Sequence, residues 1–251
     1  MIDRPRKPRL AASLEAPHLP RMILTAIPPE ALAGILDRFA RDLKEPLARE
    51  GFARIRATAA ERAVGEDAER DRQAALALAR SFGMKVHRKG ARCRFNWDGR
   101  ALNSEVEAYV ILHEVAHFAL APPSRRGLVE FGLGPGPDTR EREAAQEAAV
   151  LSFLEREEDE ASSSLLGILW EAALRQPALA SFLDQNWLEG IDRIAASHFT
   201  SVLRDLRKRG MLDGEGRPLF PGAASLLPIK ALLSPGIGGD NDSARGVKES
   251  P

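Results

Sequence analysis

The feature that most constrains this chain is Leu112-His113-Glu114-Val115-Ala116-His117-Phe118, two histidines four residues apart within an apolar run. On a helix that spacing puts both imidazoles on one face, about a turn apart, so both can reach a single ion. Val106, Val110, His113, His117 and Leu120 form one stripe, and Ile111, Leu112, Val115, Phe118 and Ala119 make the other sides apolar too. A helix this apolar is buried, and a buried histidine pair needs hydrogen-bond partners or a metal. With only five histidines in the chain, chance is a poor account of the spacing. The expectation is one divalent metal ion held by His113 and His117, with Glu114 as the catalytic residue beside it. Ser104 with Glu107 three residues later reads as a capping box opening this helix, and Pro122-Pro123 stop it.

Length and composition bound the rest. The 251 residues have room for one sizeable domain, and 36 basic side chains balance 36 acidic ones. The balance hides an asymmetry: residues 1–100 carry 21 Lys and Arg against 13 Asp and Glu, and the remainder 15 against 23. The arginines of the first part are spread along helical stretches, which reads as solvated faces and gives no reason to expect nucleic acid as a direct partner. The lone Cys93 excludes an intramolecular disulfide. No stretch has the apolar length of a membrane span or a signal core, so a cytoplasmic protein is expected.

Residues 1–22 read as a disordered basic tail, from Arg4-Pro5-Arg6-Lys7-Pro8-Arg9 onward, and 222–251 as a Gly/Pro/Ser-rich one. Between them a single domain is expected over 23–221. Pro28-Pro29-Glu30 opens a helix that Pro46 disturbs, and a second helix is expected from Asp67 to Phe82. Met84 to Arg88 and Ala91 to Trp97 then read as two strands around Lys89-Gly90, a small β-hairpin ahead of the metal helix. His87 is expected to face solvent and Cys93 to be a small core residue. Downstream, Asp138 to Glu141 reads as a further capping box, followed by a helix carrying Glu143 and Glu147 on one face. A third metal ligand is required, and these two carboxylates are the candidates, Glu147 or alternatively Glu143. The charge run from Glu155 to Glu160 and the serines 162–164 read as a connection. Helices Leu165 to Arg175, Ala178 to Leu183 and Trp187 to Arg209 make a C-terminal helical part over about 162–210. His198 is expected at the surface or in packing, with Trp170, Trp187, Ile191 and Ile194 in the core. The fold class is α+β, predominantly helical.

The loop after the metal helix is long and turn-rich, which usually marks function. From His113 to Arg140 it resembles the elongation factor P hydroxylase family. The resemblance lies in HE-x-A-H followed by an aromatic, then Ala121, Arg125-Arg126, Leu128-Val129, an acidic residue, Phe131-Gly132 and Pro137-Asp138. It covers about a tenth of the chain and implies a zincin-like arrangement of the metal helix. It implies Fe(II), a glutamate ligand on the following helix (favouring Glu147), and hydroxylation of a modified lysine on elongation factor P. Arg125 and Arg126 would then dock the protein substrate, their fork-shaped guanidinium groups suiting carboxylates. Without the resemblance, the same ligands hold Zn(II) in a metallopeptidase or other metallohydrolase, with Glu114 as general base. A purely structural metal is the third reading, and it would ask for a fourth protein ligand.

Overall fold

The computed structural model describes residues 27–136, 139–188 and 194–221. The two tails expected at 1–22 and 222–251 therefore lie outside the described residues, as do Pro137, Asp138 and Ile191. The described chain is predominantly helical, and none of its helices is long and apolar enough to cross a membrane.

Helices α1 (Pro29–Asp42) and α2 (Pro46–Arg56) each begin with proline at the first helical position, where no backbone N–H is needed. Pro46 thus starts a helix that the sequence reading took as a break. Gly51 lies inside α2 and lets α9 (Ala195–Lys208) approach, since a Cβ there would meet Leu203 at 3.3 Å. Phe39, Phe52, Phe182 and Phe199, from α1, α2, α8 (Ala178–Asp184) and α9, lock these helices together through tilted and edge-on ring contacts at 4.8–6.4 Å. Trp170 and Trp187 are buried, as expected, whereas Ile194 is exposed at the α9 N-cap. His198 stacks on Trp187 with centroids 5.3 Å apart.

The helix that carries His113 and His117 is α4 (Ala108–Leu120), and it packs between α3 (Gly65–Ser81) and α7 (Phe153–Ala173). Its apolar sides explain this position, because Ile111, Leu112, Val115 and Ala116 are all fully buried. The expected Ser104–Glu107 capping box does not form. Glu107 is itself the N-cap, without a side-chain bond, and Asn103 Oδ1 accepts the Glu105 N–H at 3.0 Å. Pro122 follows the helix end as read.

Ahead of α4, residues 84–97 do not pair with each other as a hairpin. Val86 and Trp97 both form isolated bridges with Leu102, which is fully buried and draws both segments to itself. His87 is half-buried and bonds Asp98 at 2.8 Å, so it does not simply face solvent; Cys93 is also half-buried.

The largest departure is α7. The acidic run and the three serines read as a connection lie inside one continuous helix. It starts at Ser152, whose Oγ accepts the Glu155 N–H while Glu155 Oε2 accepts the Ser152 N–H at 2.8 Å. That reciprocal cap satisfies two donors a helix start otherwise leaves bare. Farther along, Gly167 is where α7 meets α4 most closely: a Cβ there would lie 3.3 Å from the His113 backbone nitrogen.

Candidate metal centre

α4 directs His113 and His117 toward α7, and the carboxylate that meets them is Glu160. The Nε2 atoms of the two histidines are 2.9 Å apart. Glu160 Oε2 lies 3.3 Å from the His113 Nε2 and 3.5 Å from the His117 Nε2. Donors about 2.1 Å from one ion are separated by ~3.0 Å at right angles and ~3.4 Å at tetrahedral angles. The three separations match a shared ion. Among the described residues no other group of three such side chains converges in this way.

The carboxylate that converges with the two histidines is therefore neither of those expected from the sequence. Glu143 and Glu147 sit on α6 (Arg142–Glu147), both exposed and outside the cluster. α6 is a six-residue helix that buries only Ala145, so it turns its carboxylates to solvent. Glu160 reaches the histidines because α7 runs along the whole of α4, pulled in by Gly167 two turns beyond.

Behind the donors, the structure fixes His117. Its Nδ1 donates to Asp159 Oδ1 at 2.8 Å, with Ser163 Oγ at 2.9 Å from the same nitrogen. That leaves Nε2 unprotonated in the neutral ring, the form a metal requires. Asp159 is in turn paired with Arg125, whose Nη1 also donates to the Phe131 carbonyl at 3.4 Å. Phe131 stacks on His117 at 5.6 Å and lies flat against Trp97 at 5.4 Å. Phe131 and Glu130 hold φ of 53° and 45°, a left-handed conformation that costs a non-glycine residue about 1–2 kcal/mol. The ring contacts and the Glu130 Oε1 bond to the Asn96 N–H at 3.1 Å offset that cost.

Arg125 and Arg126, expected to dock the substrate, are both half-buried and bonded within the chain. Arg125 is 11 % exposed and spent on Asp159. Arg126 donates Nε to the Ala121 carbonyl at 3.0 Å and lies over the Phe118 ring at 4.8 Å. Arg126 thus ties the loop to the end of α4, and Arg125 ties it to α7.

The electrostatics call for added positive charge. Burial opposes a charge on His117, but Glu160 and Asp159 outweigh it and push its pKa up to about 10. Burial and the adjacent His117 push His113 down. Glu160 is held well below its usual range by both histidines despite its burial. Burial, with Glu130 nearby, raises Glu114 to about 8, and burial raises Glu130 to about 7. Glu114 Oε1 accepts from the Asn96 Nδ2 at 3.5 Å, while its buried Oε2 has no protein partner. A dication would satisfy this set of carboxylates in place of the protons it draws in.

His113, His117 and Glu160 line a cavity of about 550 Å³ together with Glu114 and Glu130. Val110, Leu133, Ala161 and Trp187 give it apolar walls, and Glu157 adds a further carboxylate. In comparisons with protein-family models, characterised proteins and solved structures, nothing matches this chain.

Proposed function

We propose that this protein is a metal-dependent enzyme, with His113, His117 and Glu160 holding the ion, and that it hydroxylates a protein side chain. The observation that carries the reading is the open donor set: two imidazoles and one carboxylate face a cavity rather than a fourth ligand. Such a triad suits Fe(II) and leaves positions free for oxygen and substrate. Bound ferrous iron would supply the redox chemistry of dioxygen.

The chain's own residues do the rest. Asp159, steadied by Arg125, keeps the His117 Nε2 directed at the ion. Val110, Leu133 and Trp187 offer apolar contact to the substrate, while Glu114, held by Asn96, can keep or release a proton in the cavity. The resemblance over residues 113–140 names the substrate we favour, a modified lysine on elongation factor P, which would place the protein in the cytoplasm. The Arg125, Glu130 and Phe131 of that segment all support the His117 side of the site. An HExxH helix completed by a carboxylate from a later helix also supports the zincin-like arrangement.

One observation favours a second reading, a zinc metallohydrolase. Glu114 lies in the cavity with an unpartnered buried oxygen, the position from which a general base takes a proton from the attacking water. A single assay separates the two. Iron-loaded protein is incubated with elongation factor P carrying its lysine modification, with and without oxygen, and the product is weighed. Gain of one oxygen atom, dependent on air and lost in His113→Ala, supports the hydroxylase. Peptide cleavage with zinc in the absence of oxygen, lost in Glu114→Gln, overturns it.

A further inference from the structure

Between α3 and α4 the chain forms no helix, and the first part of this connection is basic. Lys85, Arg88, Lys89, Arg92, Arg94 and Arg100 are all exposed, while Asp98 is the only carboxylate between 85 and 100. The cations share one small surface because the segment closes on itself. The Leu102 N–H donates to the Lys85 carbonyl and the His87 N–H to the Leu102 carbonyl, both at 2.9 Å. Asp98 is used inside the segment: Oδ2 bonds His87 at 2.8 Å, and Oδ1 accepts the Arg100 and Ala101 N–H groups at 2.8 Å. Among the described residues only Arg94 of the six cations is in a salt bridge, with Glu141 at 3.6 Å. Like charges held this close repel one another, and an anionic partner relieves that repulsion.

The segment is also fastened to the metal cavity. Asn96 lines that cavity and donates its N–H to Glu130 Oε1 at 3.1 Å, and Trp97 donates Nε1 to the Arg126 carbonyl at 2.8 Å. Four of the six cations are arginines, whose forks suit carboxylates and phosphates alike. Two observations favour carboxylates. Phe95 is half-buried and Trp97 buried, so the segment shows no exposed ring on which a base could stack. Beyond Arg94 lie Glu141 and the exposed Glu143 and Glu147, and Glu157 and Glu160 line the cavity, where no described lysine or arginine stands. A nucleic acid strand carries a charge at every phosphate and would meet these carboxylates, whereas a polypeptide places its acidic side chains only opposite the cations. We propose that residues 85–100 dock an acidic polypeptide segment beside the metal cavity. This rests on the reading above that a protein side chain enters that cavity, and it assigns the docking role to cations other than Arg125 and Arg126.

Fluorescence anisotropy of the full chain tests this without turnover, using labelled decaglutamate and a single-stranded RNA of the same length at about 0.15 M salt. Decaglutamate is expected to bind saturably and more tightly than the RNA. Arg88→Glu combined with Arg92→Glu should weaken decaglutamate by at least about tenfold and leave metal content unchanged. Arg38→Glu combined with Arg41→Glu, exposed on α1, makes the same change in net charge and should alter binding by less than about twofold. No saturable binding, equal or tighter binding of the RNA, or equal losses in the two variants would each overturn the proposal. Should the first variant fail to fold, the comparison of the two probes on the unaltered chain decides it. Oxygen gain by elongation factor P without decaglutamate binding would strike the docking surface and leave the hydroxylase. Decaglutamate binding lost in the first variant, without oxygen gain, would keep the surface and strike the hydroxylase.

Discussion

At the scale of single residues, the donor set turns on which carboxylate completes it. Glu160→Gln is expected to abolish stoichiometric metal binding, whereas Glu143→Gln and Glu147→Gln should keep it, because only Glu160 reaches both histidines. Metal analysis of the purified variants checks this, and loss of metal in Glu147→Gln alone would restore the ligand read from sequence. Asp159→Asn should keep the three donors but weaken metal binding by about 10- to 100-fold, since the His117 ring loses its anionic partner. Arg125→Ala removes the guanidinium paired with the buried Asp159 and is expected to destabilise the fold by about 3 kcal/mol in denaturant titration. A change near zero would return Arg125 to the docking role.

At the scale of elements, the site is a contact between two helices, and Gly167 sets their distance. Replacing Gly167 by Ala puts a methyl group 3.3–3.4 Å from the α4 backbone at Leu112 and His113, which cannot give way as a flexible side chain would. The variant is expected to lose about 1–3 kcal/mol and to bind metal more weakly, because the same shift moves Glu160 away from the histidines. Unchanged metal affinity would show that Gly167 serves packing alone. The α7 helix was legible in part. Ser152-Phe153-Leu154-Glu155 has the spacing of a capping box, and the buried Leu165, Leu166, Leu169 and Trp170 belong to the same helix. What hid it was its polar middle. Asp159 and Ser163 look like a solvated connection until α4 supplies the histidine they face.

For the whole molecule, buried protons link stability to pH. Burial raises the pKa of Glu171 to about 8 from an unfolded value of 4.5, so between these values the folded chain holds a proton that the unfolded chain has lost. His117, up to about 10 from 6.5, does the same at higher pH. Both contributions are complete at low pH and fade as pH rises through the folded pKa. Chelator-treated protein is therefore expected to melt at progressively lower temperature from roughly pH 5 to pH 10. Glu171→Gln should flatten the lower part of that slope, and a melting temperature that rises with pH over this range would contradict it. Metal is expected to raise the melting temperature at neutral pH with release of a proton, measurable by calorimetry in buffers of different ionisation heat.

What the sequence determined by itself was local. The histidine pair follows from the helical period, and the burial of α4 from its apolar sides, and neither needs a partner to be legible. The helix start at Pro29 and the core tryptophans belong to the same class. Only the tertiary structure decided which carboxylate meets the histidines, the engagement of Arg125 and Arg126 within the chain, and the pairing of residues near 86 and 97 with Leu102. Each depends on which element lies opposite, across a separation such as the 43 positions from His117 to Glu160. A carboxylate in a charged run is the same residue whether it meets water or a buried imidazole, and the packing of α7 on α4 makes that choice.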